Sequence, residues 1–360
     1  MANKLEISEL DFDGIKTNLK TFLRQQDEFT EYDYEGAGMS ALLDVLAYNT
    51  HYLGYNANML ANEMFLDSAD LRSSVVSKAK QVGYTPTSST ASSAVIDVVV
   101  NNASGASLTM SRGTKFATSI NGQNYNFVNN ADVTITPDNG VYKFSNLSIF
   151  EGTYLNFKYT ASTSDIDQRF IIPNDNVDTT TLTVKVQNSS SDSTTNTYTL
   201  ADGLTGLTPT SQVYFLQEVE NGRFEVYFGD GVLGKAIADG NIVIFDYINC
   251  NQDAPNNATT FTLSGTIGGF SDATITTISN STGGSVPESI SSIKYNAPRD
   301  YASQDRAVTA EDYKVLVKSL YANAQAVQVF GGEDAATPAY GKVFQSILVI
   351  SWYSVSNICS

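Results

Sequence analysis

The chain has 360 residues, 42% of them hydrophobic, and a formal net charge of −17 from 38 Asp and Glu against 21 Lys and Arg. That length can build one large domain or two to three smaller ones, each with a core of its own. A field of this sign repels nucleic-acid phosphates and anionic membrane surfaces, which argues against a nucleic-acid partner and against direct membrane insertion.

Cys250 and Cys359 are the only cysteines. They make no disulfide framework and no C-x-x-C for zinc or redox work. The opening "MANKLEISELDFDG" lacks the apolar stretch of a signal peptide. No run reaches the roughly 18 apolar residues of a membrane helix.

In chain order, the first ~85 residues read as helical by their apolar spacing. "DGIKTNLKTFLRQQDEF" sets Ile15, Leu19, Phe22 and Leu23 on one face, with Asp11 or Asp13 as N-cap. Gly36 and Gly38 interrupt the pattern. A longer helix follows from Met39 to Leu66, about 40 Å long at the standard rise. Its stripe is Met39, Leu43, Leu46, Thr50, Leu53, Ala57, Leu60 and Met64. Steps of four and three residues alternate along it, a heptad rhythm. A third helix, "ADLRSSVVSKAKQVGY", ends near Gly83.

From about Ala94 to Val286 the composition shifts to Ser, Thr, Asn, Gly, Val, Tyr and Phe. Runs such as "VIDVVV", "LNFKYT", "TLTVKV" and "NIVIFDYI" predict strands. Asn221-Gly222, between two β-forming runs, predicts a hairpin with Phe224, Val226 and Phe228 on one face. "QNSSSDSTTNTY" is a polar loop. Beyond Glu288 helix and strand mix. "VTAEDYKVLVKSL" offers a capping-box variant, Thr309 with Asp312, ahead of Tyr313, Leu316, Val317 and Leu320. "AQAVQVF" and "GKVFQSILVI" read as strands.

One stretch invites an enzymatic reading. "FGDGVLGKA" (228–236) contains both G-x-G-x-x-G and G-x-x-x-x-G-K. A phosphate loop needs a helix straight after the turn, because the helix N-terminus holds the phosphate. Here "AIADGNIVIFDYI" predicts another strand, and Ala236 stands where a magnesium-binding hydroxyl belongs. The glycines are read instead as a turn in an antiparallel β-meander. The single histidine, His51, lies mid-helix among Tyr48, Tyr52 and Tyr55, a packing or interface residue rather than a catalytic base. "PNDNVD" (173–178) clusters oxygens but lacks the calcium-loop spacing and reads as an Asx turn. No catalytic residue, no cofactor-binding residue and no metal site is assigned. The Tyr and Phe content leaves a glycan-binding β surface open as an alternative.

The heptad stripe has two readings: packing within the chain, or a bundle with other chains. Burying some seven such side chains yields a gross gain on the order of 10–20 kcal/mol. Spacing alone does not choose between them.

Several stretches together resemble a known family. "YDYEGAGMSALLDVLAYNTHYLGYNANMLANEMFLDSADLRSSVVSKAKQVGYTPTS" resembles the N-terminal region of the gene-product-six type of baseplate wedge protein in T-even-like contractile-tailed bacteriophages. "FGDGVLGKAIADG", "GGSVPESISSIKYNAPRDYASQDRAVTAEDY" and "VFGGEDAATPAYGKV" resemble the wider baseplate J-like family. The resemblance implies a virion structural protein that is not an enzyme, assembled in the host cytoplasm and resident in the tail baseplate. It implies other copies of itself, as a dimer, and other wedge proteins as partners, with wedges linked into a ring around the tail hub that rearranges on sheath contraction. It also favours the intermolecular bundle, with Met39, Leu43, Leu46, Leu53, Leu60 and Met64 as its interface.

The expected architecture is α+β and multidomain. A helical region occupies 1–87, an antiparallel β-rich region 88–287 and a mixed α/β region 288–344. After Lys342 no charged residue occurs. This departs from the family's polar strand, and 345–360 is read as an atypical, truncated or frame-shifted tail.

Overall fold

A computed structural model describes residues 11–26, 38–162, 164–165, 168–201, 203, 206–303, 306–320, 324–335 and 337–349. Gly36, Cys359 and the last eleven residues of the expected tail lie outside them. The chain divides into two units, residues 1–82 and 83–360.

The first unit holds α1 (Phe12–Leu23), α2 (Gly38–Glu63) and α3 (Arg72–Gln81). Asp11 caps α1, its carboxylate accepting from the Gly14 N–H at 2.5 Å. α1 packs on α2. Ile15 is buried on the first helix, and Ser40, Leu43 and Ala47 on the second. Lys16 pairs with Asp44 at 2.5 Å. Phe22, expected on the face of Ile15, is exposed.

α2 stops at Glu63, three residues before the expected Leu66. Side chains cap the stop. Ser68 Oγ donates to the freed carbonyl of Asn62 at 2.6 Å, and the Glu63 carboxylate accepts from Asp70 N at 2.8 Å. Desolvation pushes the Glu63 carboxyl up, but the hydrogen bonds from Asp70, Ser74 and Leu71 outweigh it and hold it below its ordinary value.

Among its described residues the second unit opens with fifteen strands. They are β1 (Ser93–Val100), β2 (Leu108–Met110), β3 (Lys115–Ile120), β4 (Gln123–Val128), β5 (Val133–Ile135), β6 (Tyr142–Glu151), β7 (Thr153–Thr160), β8 (Phe170–Ile171), β9 (Val177–Gln187), β10 (Thr195–Leu200), β11 (Val213–Glu218), β12 (Phe224–Phe228), β13 (Ile242–Asn249), β14 (Thr262–Ser264) and β15 (Ala273–Thr282). After them come α4 (Ile290–Ser303), α5 (Ala310–Leu320), β16 (Ala324–Gly331) and β17 (Val343–Val349).

The long β-rich stretch forms two sheets, the second inserted into the first between β6 and β14. The first runs β14-β3-β4-β6-β1-β15 and the second β7-β13-β9-β10-β11-β12-β8. Pairing is antiparallel throughout both, except between β10 and β11. In the first, Ala94, Ile96, Val98 and Val100 alternate inward from β1 and pack with Phe116, Phe127, Phe144 and Ile149. The backbone of 257–258 hydrogen-bonds to Ser281 of β15, at the opposite edge of this sheet from β14. The second core gathers Val184, Val186, Phe224, Val226, Val243, Phe245 and Tyr247.

The chain crosses between the sheets through one residue, Gly152, at φ +126. A Cβ there would lie 2.3 Å from the Asn249 carbonyl oxygen, on the return crossing. Only glycine lets the two crossings run side by side. Buried carboxylates tie this seam. Glu151 accepts from Asn251 N at 2.8 Å and Nδ2 at 2.7 Å. Asp178 accepts from Ala91 N at 2.9 Å and from Thr180 N and Oγ1. Burial pushes both carboxyls above their ordinary values.

In the mixed region the capping box on α5 forms as the sequence suggests. Thr309 N donates to Asp312 Oδ2 at 2.8 Å, and Asp312 N to Thr309 Oγ1 at 3.3 Å. α5 packs on β16, which pairs antiparallel with β17.

Candidate assembly surface

The expected stripe on α2 is split between two environments. Leu43 is 4% exposed and Met39 half-buried. Both belong to the end of the helix that carries the buried Ser40 and Ala47. Further along, Leu46 is 53% exposed, Leu53 60%, Leu60 65% and Met64 65%. Large apolar side chains left in water over about five turns are a poor end state for a helix. Burying these four is worth on the order of 5–10 kcal/mol gross.

The stripe is not alone. Val45, Tyr48, Tyr52, Tyr55 and Met59 are exposed as well, and the Tyr48 and Tyr52 rings stack at 6.4 Å. These five positions also step by three and four, at the c and f positions of the heptad whose a and d positions are the leucine stripe. Heptads usually keep c and f polar, so the signal was present in the sequence and is separable from the first stripe only by phase. His51 lies among these tyrosines and is exposed. α2 carries two acidic side chains, both engaged: Asp44 with Lys16 and Glu63 with the turn before α3.

The glycine-rich loop is a crossover pinned by hydrogen bonds. β12 and β13 are not sheet neighbours, because β9, β10 and β11 lie between them. The meander reading of 228–241 is therefore corrected: the parallel β10–β11 pair displaces β12 towards the far edge, and the loop spans the gap. No helix follows it. Asp230 Oδ1 accepts from Val232 N and Leu233 N at 2.9 Å each. Gly234 N donates to Thr208 O and Lys235 N to Ser211 O. A Cβ on Gly229 would lie 2.3 Å from the Leu233 carbonyl oxygen. These backbone donors are spent inside the protein, and Lys235 is exposed.

The other polar sites have internal uses. In 173–178, Asn174 accepts from the Tyr247 hydroxyl, Asp175 pairs with Arg223 at 2.8 Å, and Asp178 serves the seam. Among the described residues no group of three or more His, Cys, Asp or Glu is placed to hold a metal ion. Cys250 is buried at the seam, and desolvation pushes its thiol up to about 11, which keeps it protonated and unreactive.

Three family models match. Residues 11–84 match the helical domain of baseplate wedge protein gp6-like, which covers α1 to α3. Residues 156–259 match the third domain of bacteriophage baseplate wedge protein gp6, which takes in nearly all of the inserted sheet. Residues 309–351 match C-terminal domain I of baseplate structural protein gp6, which spans α5, β16 and β17. The baseplate wedge protein gp6 of Enterobacteria phage T4 is 30% identical over 358 aligned residues. The chain belongs to the gp6-type baseplate wedge family. That alignment covers 91% of this chain and 52% of the T4 protein, so the chain spans about half the length of that curated relative. A chain in the cryo-EM structure of the anti-feeding prophage baseplate, 6-fold symmetrised, aligns over 87% of this chain and 57% of its own length. Its identity is 11% and its TM-score 0.29, too low to carry an argument.

Proposed function

We propose that this chain is a non-enzymatic structural subunit of a contractile-tail baseplate wedge, resident in the virion and assembled in the host cytoplasm. It pairs with a second copy of itself and with other wedge proteins, and the wedges join into a ring around the tail hub that rearranges when the sheath contracts. The observation that carries this reading is α2. Leu46, Leu53 and Leu60, with Met64 just past the last turn, stand exposed in heptad register on a helix whose acidic groups are already engaged, inside a segment that matches the family's helical domain. Leu43 lies at the margin of this interface, shared with α1.

The paired substitution Leu46→Asp and Leu53→Asp tests it. Both side chains are exposed in the single chain, so the β sheets should keep their fold while co-purification with wedge partners is lost. Unchanged assembly would remove α2 from the interface.

A further inference from the structure

Glu288 is a meeting point for two stretches of the second unit that are far apart in sequence. The first is Gly83–Thr87, where the chain leaves the helical unit. The second is the start of α4. Tyr84 donates its hydroxyl to Oε1 at 2.9 Å and Oε2 at 2.8 Å, and Thr87 N donates to Oε2 at 3.2 Å. From α4, Ser292 Oγ donates to Oε1 at 2.7 Å and Asn296 Nδ2 at 2.8 Å. A backbone bond from Glu288 N to Thr87 O at 3.0 Å fixes the register. Thr85 Oγ1 also donates to the Leu216 carbonyl of β11 at 3.2 Å.

Each donor has few alternatives. Asn296 is buried. Tyr84 is half-buried, and desolvation together with the neighbouring carboxylate pushes its phenol well above the ordinary tyrosine range, so it stays a donor. The carboxylate also sits at the N-terminal end of α4, where the helix dipole favours a negative charge. Ser289 adds an N-cap contact, accepting from Ser292 N at 3.3 Å.

We propose that Glu288 couples these two stretches, so that displacing Gly83–Thr87 frays the first turns of α4 and unwinding α4 releases Gly83–Thr87. A half-buried carboxylate that loses the donors on one side is left with unmet acceptors, and its remaining bonds no longer hold a fixed geometry. Glu288 is thus a positioning residue, within the second unit, for Gly83–Thr87 and for the first turns of α4. This inference rests on the hydrogen bonds alone and stands whether or not the chain assembles through α2.

Hydrogen exchange on the full chain tests it. In Glu288→Gln, one acceptor oxygen becomes a donor facing donors. Amides of residues 84–88 and 289–296 should then exchange at least about tenfold faster, together, while β13 is unchanged. Two milder variants act from opposite sides. Tyr84→Phe should speed exchange in 289–296, and Ser292→Ala should speed exchange in 84–88. Their combined effect should depart at least threefold from the product of the single effects. If each variant loosens only its own segment and the effects multiply, the coupling is disproved, even if Glu288→Gln unfolds the chain.

Discussion

Leu43 and Leu46 sit three residues apart on one heptad stripe and meet different surroundings. Leu43 is buried where α1 packs on α2, and Leu46 faces water. In the unassembled chain, Leu43→Ala should therefore cost about 2–5 kcal/mol of helical-unit stability, and Leu46→Ala less than about 0.5 kcal/mol, as read by urea denaturation followed by helical circular dichroism. Comparable losses would contradict the split. Glu151 offers a test through pH. Its carboxyl is raised above the ordinary 4.5 by burial, so the folded state binds its proton more readily than the unfolded state. The stability it contributes is fully present below about 4.5 and is lost as pH rises through the folded value. Glu151→Gln does not titrate, so relative to the parent it should be more stable at pH 7 than at pH 5. A difference in melting temperature that does not change with pH would refute the assignment.

At the scale of elements, helix α2, the capping box of α5 and the strands β1, β7, β9, β11, β12 and β13 were legible, because each follows from local periodicity or cap chemistry. The polar-loop reading of 187–198 is corrected at its end, where Thr195–Leu200 forms β10 and Tyr198 enters the core of the second sheet. The hairpin at Asn221-Gly222 was legible for the same reason: β11 and β12 pair around it, with Asn221 at φ +63. Sheet order was not. Nothing local in "FGDGVLGKAIADG" says that β13 pairs with β9 and β7 rather than with β12, since that choice is made by residues some sixty to ninety positions upstream. The insertion of one sheet into the other was hidden likewise, and Gly152, which makes it possible, has no signature beyond being a glycine between two strands. Gly152→Ala should cost at least about 2–3 kcal/mol, from a backbone conformation unsuited to alanine and from the collision with the Asn249 carbonyl. The loss should appear as a lowered urea midpoint by tryptophan-independent probes such as β-sheet circular dichroism. A variant as stable as the parent would mean that the crossings can separate.

For the whole molecule, the candidate surface was half legible. The leucine stripe could be read from spacing, but its division between an internal contact and an exposed one could not, because burial depends on where α1 lies. The tyrosine stripe went unread because an apolar c/f phase looks like scatter once the a/d phase is assigned. Between them the two stripes leave α2 with more uncovered apolar surface than a finished helix carries, and the proposed role has other baseplate chains cover it. Radical footprinting of assembled baseplates against the free chain is the most direct measurement. Leu46, Leu53, Leu60 and Met64 should lose most of their labelling on assembly. Labelling of those four side chains that is equal in the free chain and in the baseplate would contradict it.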